Sequence, residues 1–549
     1  MGARHRREVS ATATGRASPP EEAHVDRGGR HAFLVAAGIF ASRIAGLVRQ
    51  RVFAHYFGLS AAADVFSAAF RIPNFLQNVF GEGVLSASFI PVYARLIAAD
   101  DEEEAGKLAG AIATLLALVV TVIVLLGVVF APALTGVLAG GFEGEKRELT
   151  VRLVRILFPG AGLLVLSAWC LGILNSHRRF LLSYMAPVIW NIAMIATLVA
   201  GGRTVGGRSL DTLAMWLAWG SVVGSALQFL VQLPSVIRLV PRLRFGIGGG
   251  SEHVREVTRS FGPVFVGRGV SQISAFVDVV IASYLPTGAV TAISNAQTLY
   301  MLPVSLFGMA VSAAELPAMS AVGGDEASVA AVLRARVAAG LRRLVFFVVP
   351  SGVAFLAIGD VLATIVFRSG RFTAADARYV WAILAGSAVG LLAATSGRLY
   401  SSVLYARRDT RTPLRFAVVR VALTIALGYV FALQLPAWLG LSERWGAAGL
   451  TASAGLAAWV EFALLRRAVE RRIGRVDFSR RNLAIVYASA LVAAGVAWVE
   501  WRAVHFLPRF PSAVLTVAVY GAIYLAMTTL LRVPEASAFV GRVARRRAR

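Results

Sequence analysis

The residues of this chain that could do chemistry are arginines and a few carboxylates set inside long apolar runs. Arg43, Arg49, Arg51, Asp64, Arg71, Arg268 and Asp278 each interrupt a stretch otherwise rich in Ala, Val, Leu, Ile and Phe. An ionisable group in the middle of a membrane-spanning helix costs roughly 2.5–3.5 kcal/mol on insertion scales, so it is expected to face a cavity, a partner or a ligand. Arg43 lies about ten residues into the first apolar run, which at about 1.5 Å per residue sets it near the bilayer midplane, too deep to snorkel. A ligand-facing role is favoured there over a buried ion pair. Arg49 is six residues further on, a rotation of roughly 600°, so it leaves the face of Arg43 unless the helix bends near Gly46. Arg51 reads as an interfacial anchor. Asp64 reads either as a cap for the second run or as a counter-charge to a cavity arginine. Arg71 precedes Ile72-Pro73-Asn74, where proline frees a backbone carbonyl at membrane depth. Arg268 and Asp278 are ten residues apart, about 15 Å along one helix, so each needs its own partner, a substrate or an ion. Glu315, Arg398, Arg420 and Glu461 are further intramembrane charges, read as structural pairs.

Other chemistries find little support. Cys170 is the only cysteine and sits in an apolar run, which leaves neither a disulfide framework nor a thiolate metal site. The seven histidines are scattered, without the paired spacing of metal ligands. Gly246-Ile247-Gly248-Gly249-Gly250 lacks a preceding strand and a Lys-Ser/Thr ending, so it reads as a linker rather than a phosphate loop. The acidic run Asp101 to Glu104 reads as a solvated loop and helix start. No cofactor is expected.

These charges have to be positioned by helices. Hydrophobic residues make up 57% of the 549 residues, too much for an ordinary soluble surface, so the expected class is an all-α polytopic membrane protein. The formal charge of +25 lies between and inside apolar segments rather than on one soluble face, which fits a phospholipid surface or anionic substrate and not nucleic acid. Each crossing needs about 20 residues. Fourteen spans are expected, near 32–57, 62–80, 106–138, 150–175, 180–201, 212–240, 255–285, 288–320, 329–366, 376–405, 413–436, 445–468, 481–501 and 512–531. Residues 1–30 lack an apolar signal-peptide core and read as a disordered tail. Residues 533–549 read as a basic tail.

With an even number of spans, both termini are expected in the cytoplasm. That places Arg178, Arg179, Arg238, Arg242, Arg244, Arg407, Arg408, Arg411 and the Arg466–Arg481 loop inside, as the positive-inside rule asks. Arg203, Arg208, Arg368 and Arg371 fall outside and depart from it. The chain also resembles itself. Ser42-Arg43-Ile44 and Val48 match Ser271-Gln272-Ile273 and Val277 at an offset of 229; Leu85-Ser86-Ala87 with Ile90-Pro91 matches Val311-Ser312-Ala313 with Leu316-Pro317 at an offset of 226. An offset containing six spans makes the repeat parallel, as in transporters that rock two bundles around a midplane site. The expected units are 31–241 (spans 1–6), 252–468 (spans 7–12), and 480–532, whose two spans lie outside the repeat and face lipid.

Several segments resemble a known family. Ala41-Ser42-Arg43-Ile44-Ala45-Gly46-Leu47-Val48-Arg49, Ala63-Asp64-Val65-Phe66, Phe70-Arg71-Ile72-Pro73-Asn74 and Phe80-Gly81-Glu82-Gly83 are similar to the start of the MurJ (MviN) lipid II flippases. Val270-Ser271-Gln272-Ile273-Ser274, Leu302-Pro303 through Gly308, and Tyr405-Ala406-Arg407-Arg408-Asp409-Thr410-Arg411-Thr412-Pro413 extend the similarity over roughly 31–470.

The resemblance implies an exporter fold of the multidrug/oligosaccharidyl-lipid/polysaccharide superfamily, with two six-helix lobes around a cationic cavity. It implies alternating-access transport, in the bacterial inner membrane and by a monomer, of the undecaprenyl-pyrophosphate-linked peptidoglycan precursor to the outer leaflet. Arg43, Arg49, Asp64 and Arg71 match family positions, and pyrophosphate suits guanidinium groups. Two departures stand out: Gln77-Asn78, and Gln297-Thr298 with Met301, occupy places where the family usually has arginine or a charged stretch. Arg268 is the candidate to restore a cation. A monovalent cation at Asp278 and the membrane potential are the open sources of coupling. Another lipid-linked oligosaccharide or polysaccharide remains an alternative substrate, and a membrane glycosyltransferase an alternative activity.

Overall fold

The computed structural model describes residues 22–80, 82–204, 209–247, 251–504 and 508–547, with side chains in those ranges except at 22–36, 72, 77–79, 82–83, 263–275 and 542–547. All regular structure among them is helical: α1 (Glu22–Phe57), α2 (Ala61–Phe80), α3 (Glu82–Ser88), α4 (Ile90–Ala98), α5 (Glu102–Val129), α6 (Ala131–Leu138), α7 (Gly144–Ser176), α8 (Phe180–Thr204) and α9 (Leu210–Leu239) form the first lobe. The second comprises α10 (Glu252–Ser283), α11 (Ala289–Pro303), α12 (Ala310–Ser320), α13 (Glu326–Ala357), α14 (Gly359–Phe367), α15 (Ala374–Ala406), α16 (Arg411–Tyr429), α17 (Leu435–Trp438) and α18 (Gly446–Ile473). Then follow α19 (Arg480–Ala503), α20 (Arg509–Leu530) and α21 (Pro534–Arg547).

Eleven spans among the described residues are long and apolar enough to cross a membrane. The three remaining expected spans are α1, α2 and α10, the helices interrupted by Arg43, Arg49, Arg51, Asp64, Arg71, Arg268 and Asp278. Two segments read as tails are helical in part. α1 starts at Glu22, and α21 docks on α13 through buried Ala536, a Phe539–Phe347 ring contact at 6.2 Å and a Glu535–Arg342 ion pair at 3.5 Å.

The repeat is visible element by element. α7 and α15 are both 33 residues long and begin 230 residues apart. α5 gives way to α6 at Phe130 and α13 to α14 at Ile358, an offset of 228. Asp101 and Asp325 cap the corresponding helices by accepting from Glu104 N and Ser328 N. The turns after α7 and α15 put Arg178 and Arg408 in the left-handed region, at φ 58° and 60°. In the first lobe α2 is followed by α3 and α4, and in the second α11 runs into α12 through a π-helical turn, Val304–Met309. The short α3 and α4 are thus the counterpart of α12, which the matched Ile90-Pro91 and Leu316-Pro317 already suggest.

Within the lobes, small residues allow close helix approach. α15 and α18 touch backbone to backbone at Gly390 and Gly455, where an added methyl group would collide. α20 docks onto α13 by repairing a proline defect. Pro350 has no N–H, so the carbonyl of Phe346 loses its helical donor; the Tyr524 hydroxyl donates to it at 2.6 Å, and Tyr520 donates to the Pro350 carbonyl at 2.7 Å. The outer sides of α19 and α20 are apolar and exposed, as at Leu491, Val499 and Leu530.

The Tyr405–Pro413 segment has a structural explanation. Asp409 accepts from the N–H and hydroxyl of Thr412, at 3.0 and 2.7 Å, and from Arg472 at 2.6 Å. It so starts α16 and ties it to the end of α18. These donors hold its carboxyl well below the usual carboxylate range. A depressed pKa contributes stability that is complete above the ordinary value of about 4 and fades as pH falls toward the folded value. Asp409→Ala is expected to lower stability by about 1–2 kcal/mol at neutral pH. In thermal unfolding the gap to the native chain should narrow below about pH 4; a gap independent of pH would exclude this role.

Candidate functional site at the lobe interface

The polar residues of α1 and α2 find partners in the opposite lobe. Arg43 Nη1 donates to Ser305 Oγ at 2.9 Å, Gln50 Nε2 to Asn295 Oδ1 at 2.8 Å, and Arg71 Nη2 to Gln297 Oε1 at 2.7 Å. Ser67 and Thr291 hydroxyls lie 3.3 Å apart. Along α2, positions 64, 67 and 71 meet 291, 291 and 297, so contacting residues are separated by about the repeat offset. Equivalent helices that touch at equivalent positions sit astride a pseudo-two-fold axis, the isologous geometry of a symmetric dimer.

Asp64 is the centre of this contact. Its side chain is 1% exposed and accepts from the backbone N–H of Gly288 at 2.7 Å and of Thr291 at 2.9 Å, with Lys146 Nζ at 3.3 Å. It does cap a helix, but that helix is α11 in the other lobe. The free N–H groups and positive dipole end of α11 suit a carboxylate. Around it the loops dock reciprocally: Gly141 N donates to Ser283 Oγ at 3.0 Å, and Arg371 N to the His55 carbonyl at 2.8 Å, related positions of the two repeats. Gly141 and Gly370 leave no room for a side chain against Ser283 and His55, and Gly370 also has φ +54°. Arg51 reaches the carbonyls of Ile365 and Val366, at 2.5 and 3.1 Å, in the last turn of α14. A cation suits that negative helix end, and this makes Arg51 a lobe-to-lobe contact rather than only an anchor.

The expected site residues separate into groups. Arg43 is exposed and Arg71 half-buried at the lobe boundary. Asp278 interacts electrostatically with Arg71 across the boundary and with Arg420 in its own lobe. It lines a cavity of about 180 Å³ with Gln297, Tyr300, Arg420 and Thr451. Arg420 pairs with Glu461 at 3.4 Å, and Glu315 with Arg336 and Arg343 at 3.3 and 3.4 Å, so these behave as structural pairs. Arg49 points into the first lobe instead. Its guanidinium lies 5.0 Å from the Trp190 ring centre and 5.7 Å from that of Phe70, with Nη1 3.4 Å from Met194 Sδ and Nε buried without a hydrogen-bond partner among the described residues. Cation–π attraction replaces a counter-ion there. Arg268 lies on α10, but its side chain is outside the described residues, as are those of Gln77 and Asn78.

Gln50, Ser67, Thr291, Asn295 and Ser305 were not singled out from sequence, and Gln297 was noted only as a departure from the family pattern. Uncharged amides and hydroxyls in apolar helices are common; only the matched repeat positions offered a signal.

The arrangement can hold anions between two lobes and can come apart along a polar seam. The family model "Lipid II flippase MurJ" matches residues 53–516. The chain is 31% identical over 487 residues to "Lipid II flippase MurJ" of Burkholderia cenocepacia, covering 86% of this chain and 90% of that one. It is 30% identical over 470 residues to "Probable lipid II flippase MurJ" of Vibrio cholerae, covering 84% and 86%. Its fold is similar to a solved structure described as "Lipid II flippase MurJ, inward closed conformation", with TM-score 0.73 at 23% identity over 91% of this chain and 98% of that one. An "Inward-facing conformation of a multidrug resistance MATE family transporter" follows with TM-score 0.61 at 17% identity, covering 78% and 95%. With its fourteen expected spans, its parallel repeat and this match over most of its length, the chain belongs to the MurJ lipid II flippase family of multi-pass bacterial inner-membrane proteins.

Proposed function

We propose that this protein flips lipid II, carrying the undecaprenyl-pyrophosphate-linked peptidoglycan precursor from the cytoplasmic to the outer leaflet by alternating access, as a monomer and without bond chemistry. The observation that carries the reading is Arg43, an exposed guanidinium deep in α1 whose partner across the lobe boundary is a single hydroxyl, Ser305. A pyrophosphate offers it a charge-assisted, bidentate partner that a hydroxyl cannot match. Arg71, held by the Gln297 amide, supplies a second donor once that amide is displaced. Arg268, one helix away, is the proposed third.

The distribution of loop arginines supports an orientation with the ends of α1 and α10 outward and both termini in the cytoplasm. In this orientation the docked face is the outer gate, closed by Asp64 on α11, the two reciprocal loop contacts and Arg51 on α14. Substrate entering from the inner leaflet gathers Arg43 and Arg71, and the lobes then part along the Asp64 seam. Hydrogen bonds to a charged carboxylate contribute about 1.5–3 kcal/mol each, a barrier that differential binding of one diphosphate can offset. Asp278 serves as counter-charge to Arg71 and Arg420, and the membrane potential, worth about 2.3 kcal/mol per charge per 100 mV, supplies the drive.

Reconstituted in vesicles with labelled lipid II, the native chain should expose label on the far leaflet. Arg43→Gln and Arg71→Gln should each reduce the rate at least about tenfold, the equivalent of one lost charge-assisted bond. Unchanged rates in both would remove the site; transport of a different lipid-linked glycan in preference would reassign the substrate. The same vesicles should respond to an imposed potential in the absence of sodium ions. A strict sodium requirement would instead assign Asp278 a bound cation.

A further inference from the structure

A second cationic site lies away from the lobe seam. α14, α15, α19 and α20 enclose a cavity of about 610 Å³ lined by Arg368, Arg378, Arg502 and Arg509, with Asp360 the one carboxylate lining it among the described residues. The apolar walls include Trp381, Trp498 and Trp501. Its geometry is built rather than incidental. Trp381 is fixed by donating its Nε1–H to the Leu356 carbonyl at 2.9 Å, and the Arg502 guanidinium lies 4.1 Å from the Trp498 ring centre. Asp360 interacts with Arg378. Arg368, Arg378 and Arg509 form no ion pair among the described residues.

Burial, together with repulsion from Arg509, holds Arg368 below the ordinary arginine value. Like charges gathered at a partly enclosed surface cost energy unless an anion joins them. The cavity sits where α14 ends, α15 begins, α19 ends and α20 begins, which is the level of the lobe-docked face. A ring of tryptophans at a helix-end level marks the headgroup region of a bilayer. A lipid headgroup suits this level, with its chain along the exposed apolar sides of α19 and α20. Arg368, Arg378 and Arg509 against Asp360 leave an excess of about two positive charges, which a singly charged phosphodiester does not balance and a diphosphate does.

We propose that this cavity binds the diphosphate headgroup of an isoprenoid lipid in the leaflet reached after transport. This rests on the flippase reading for its choice of lipid, but not for its location or chemistry. The full chain in detergent, titrated with undecaprenyl diphosphate and counted by native mass spectrometry, is expected to hold two molecules. Arg368→Gln combined with Arg509→Gln should hold one, with the weaker step shifted at least about tenfold, as for one lost charge-assisted contact. Arg378→Gln alone should give a smaller shift in the same direction, and carries the test if the double variant does not fold. Arg43→Gln should lose the other molecule and retain this one, so failure at the seam is distinguishable from failure here. A native chain that holds one molecule, variants that still hold two, or displacement of the second molecule by equimolar phosphatidylglycerol would each overturn the assignment.

Discussion

A charged group in hydrocarbon must have a partner, and in this protein the backbone donors to Asp64, the most buried carboxylate among the described residues, belong to the other half of the molecule. Asp64 sits at the start of α2 yet satisfies the first N–H groups of α11, 224 and 227 residues away. The two lobes carry like-oriented, equivalent helices, so they can meet on a pseudo-two-fold axis only if residues at the axis tolerate their own counterparts. A carboxylate facing a helix N-terminus and a lysine meets that condition; a carboxylate facing a carboxylate would not. Much else follows from this placement, including the reciprocal docking of the Gly141 and Arg371 loops and the position of Arg51 against α14.

That polar seam is also what makes the molecule able to change state. An apolar interface of the same extent would find no better partner in water, whereas amides, hydroxyls and guanidiniums can exchange one another for water or for substrate oxygens at modest cost. Gln297 illustrates the exchange. Its side-chain oxygen accepts from Arg71 across the lobe boundary. The cavity thereby keeps a cation poised rather than adding one. Arg49 follows a different logic. Enclosed by Trp190 and Phe70, it is stabilised by aromatic faces within its own lobe, so it moves with that lobe as a unit.

The sequence made the membrane class, the approximate spans and the parallel repeat legible, because hydropathy, charge and turn chemistry act locally. What it hid depends on contacts between distant segments. Nothing near Asp64 reveals that its helix to cap is α11, and nothing near Arg49 names Trp190 as its neighbour. α3, α4 and α21 are too short or too polar to register as spans, although they bury Tyr93 and Ala536. Of the cavity arginines Arg368, Arg378, Arg502 and Arg509, only Arg368 was visible in the sequence, as a departure from the positive-inside rule. Its place in that cavity gives this one departure a physical reason.

The central claim is that the two lobes separate along the Asp64 seam while drawing together at the opposite end. Spin labels at Glu145 and Ala375, exposed and equivalent positions on the docked face, and at Arg179 and Arg407 on the other, report both distances by electron–electron double resonance. With Cys170 replaced by serine, addition of lipid II should lengthen the first distance and shorten the second. Distances unchanged by substrate on both faces would contradict the account.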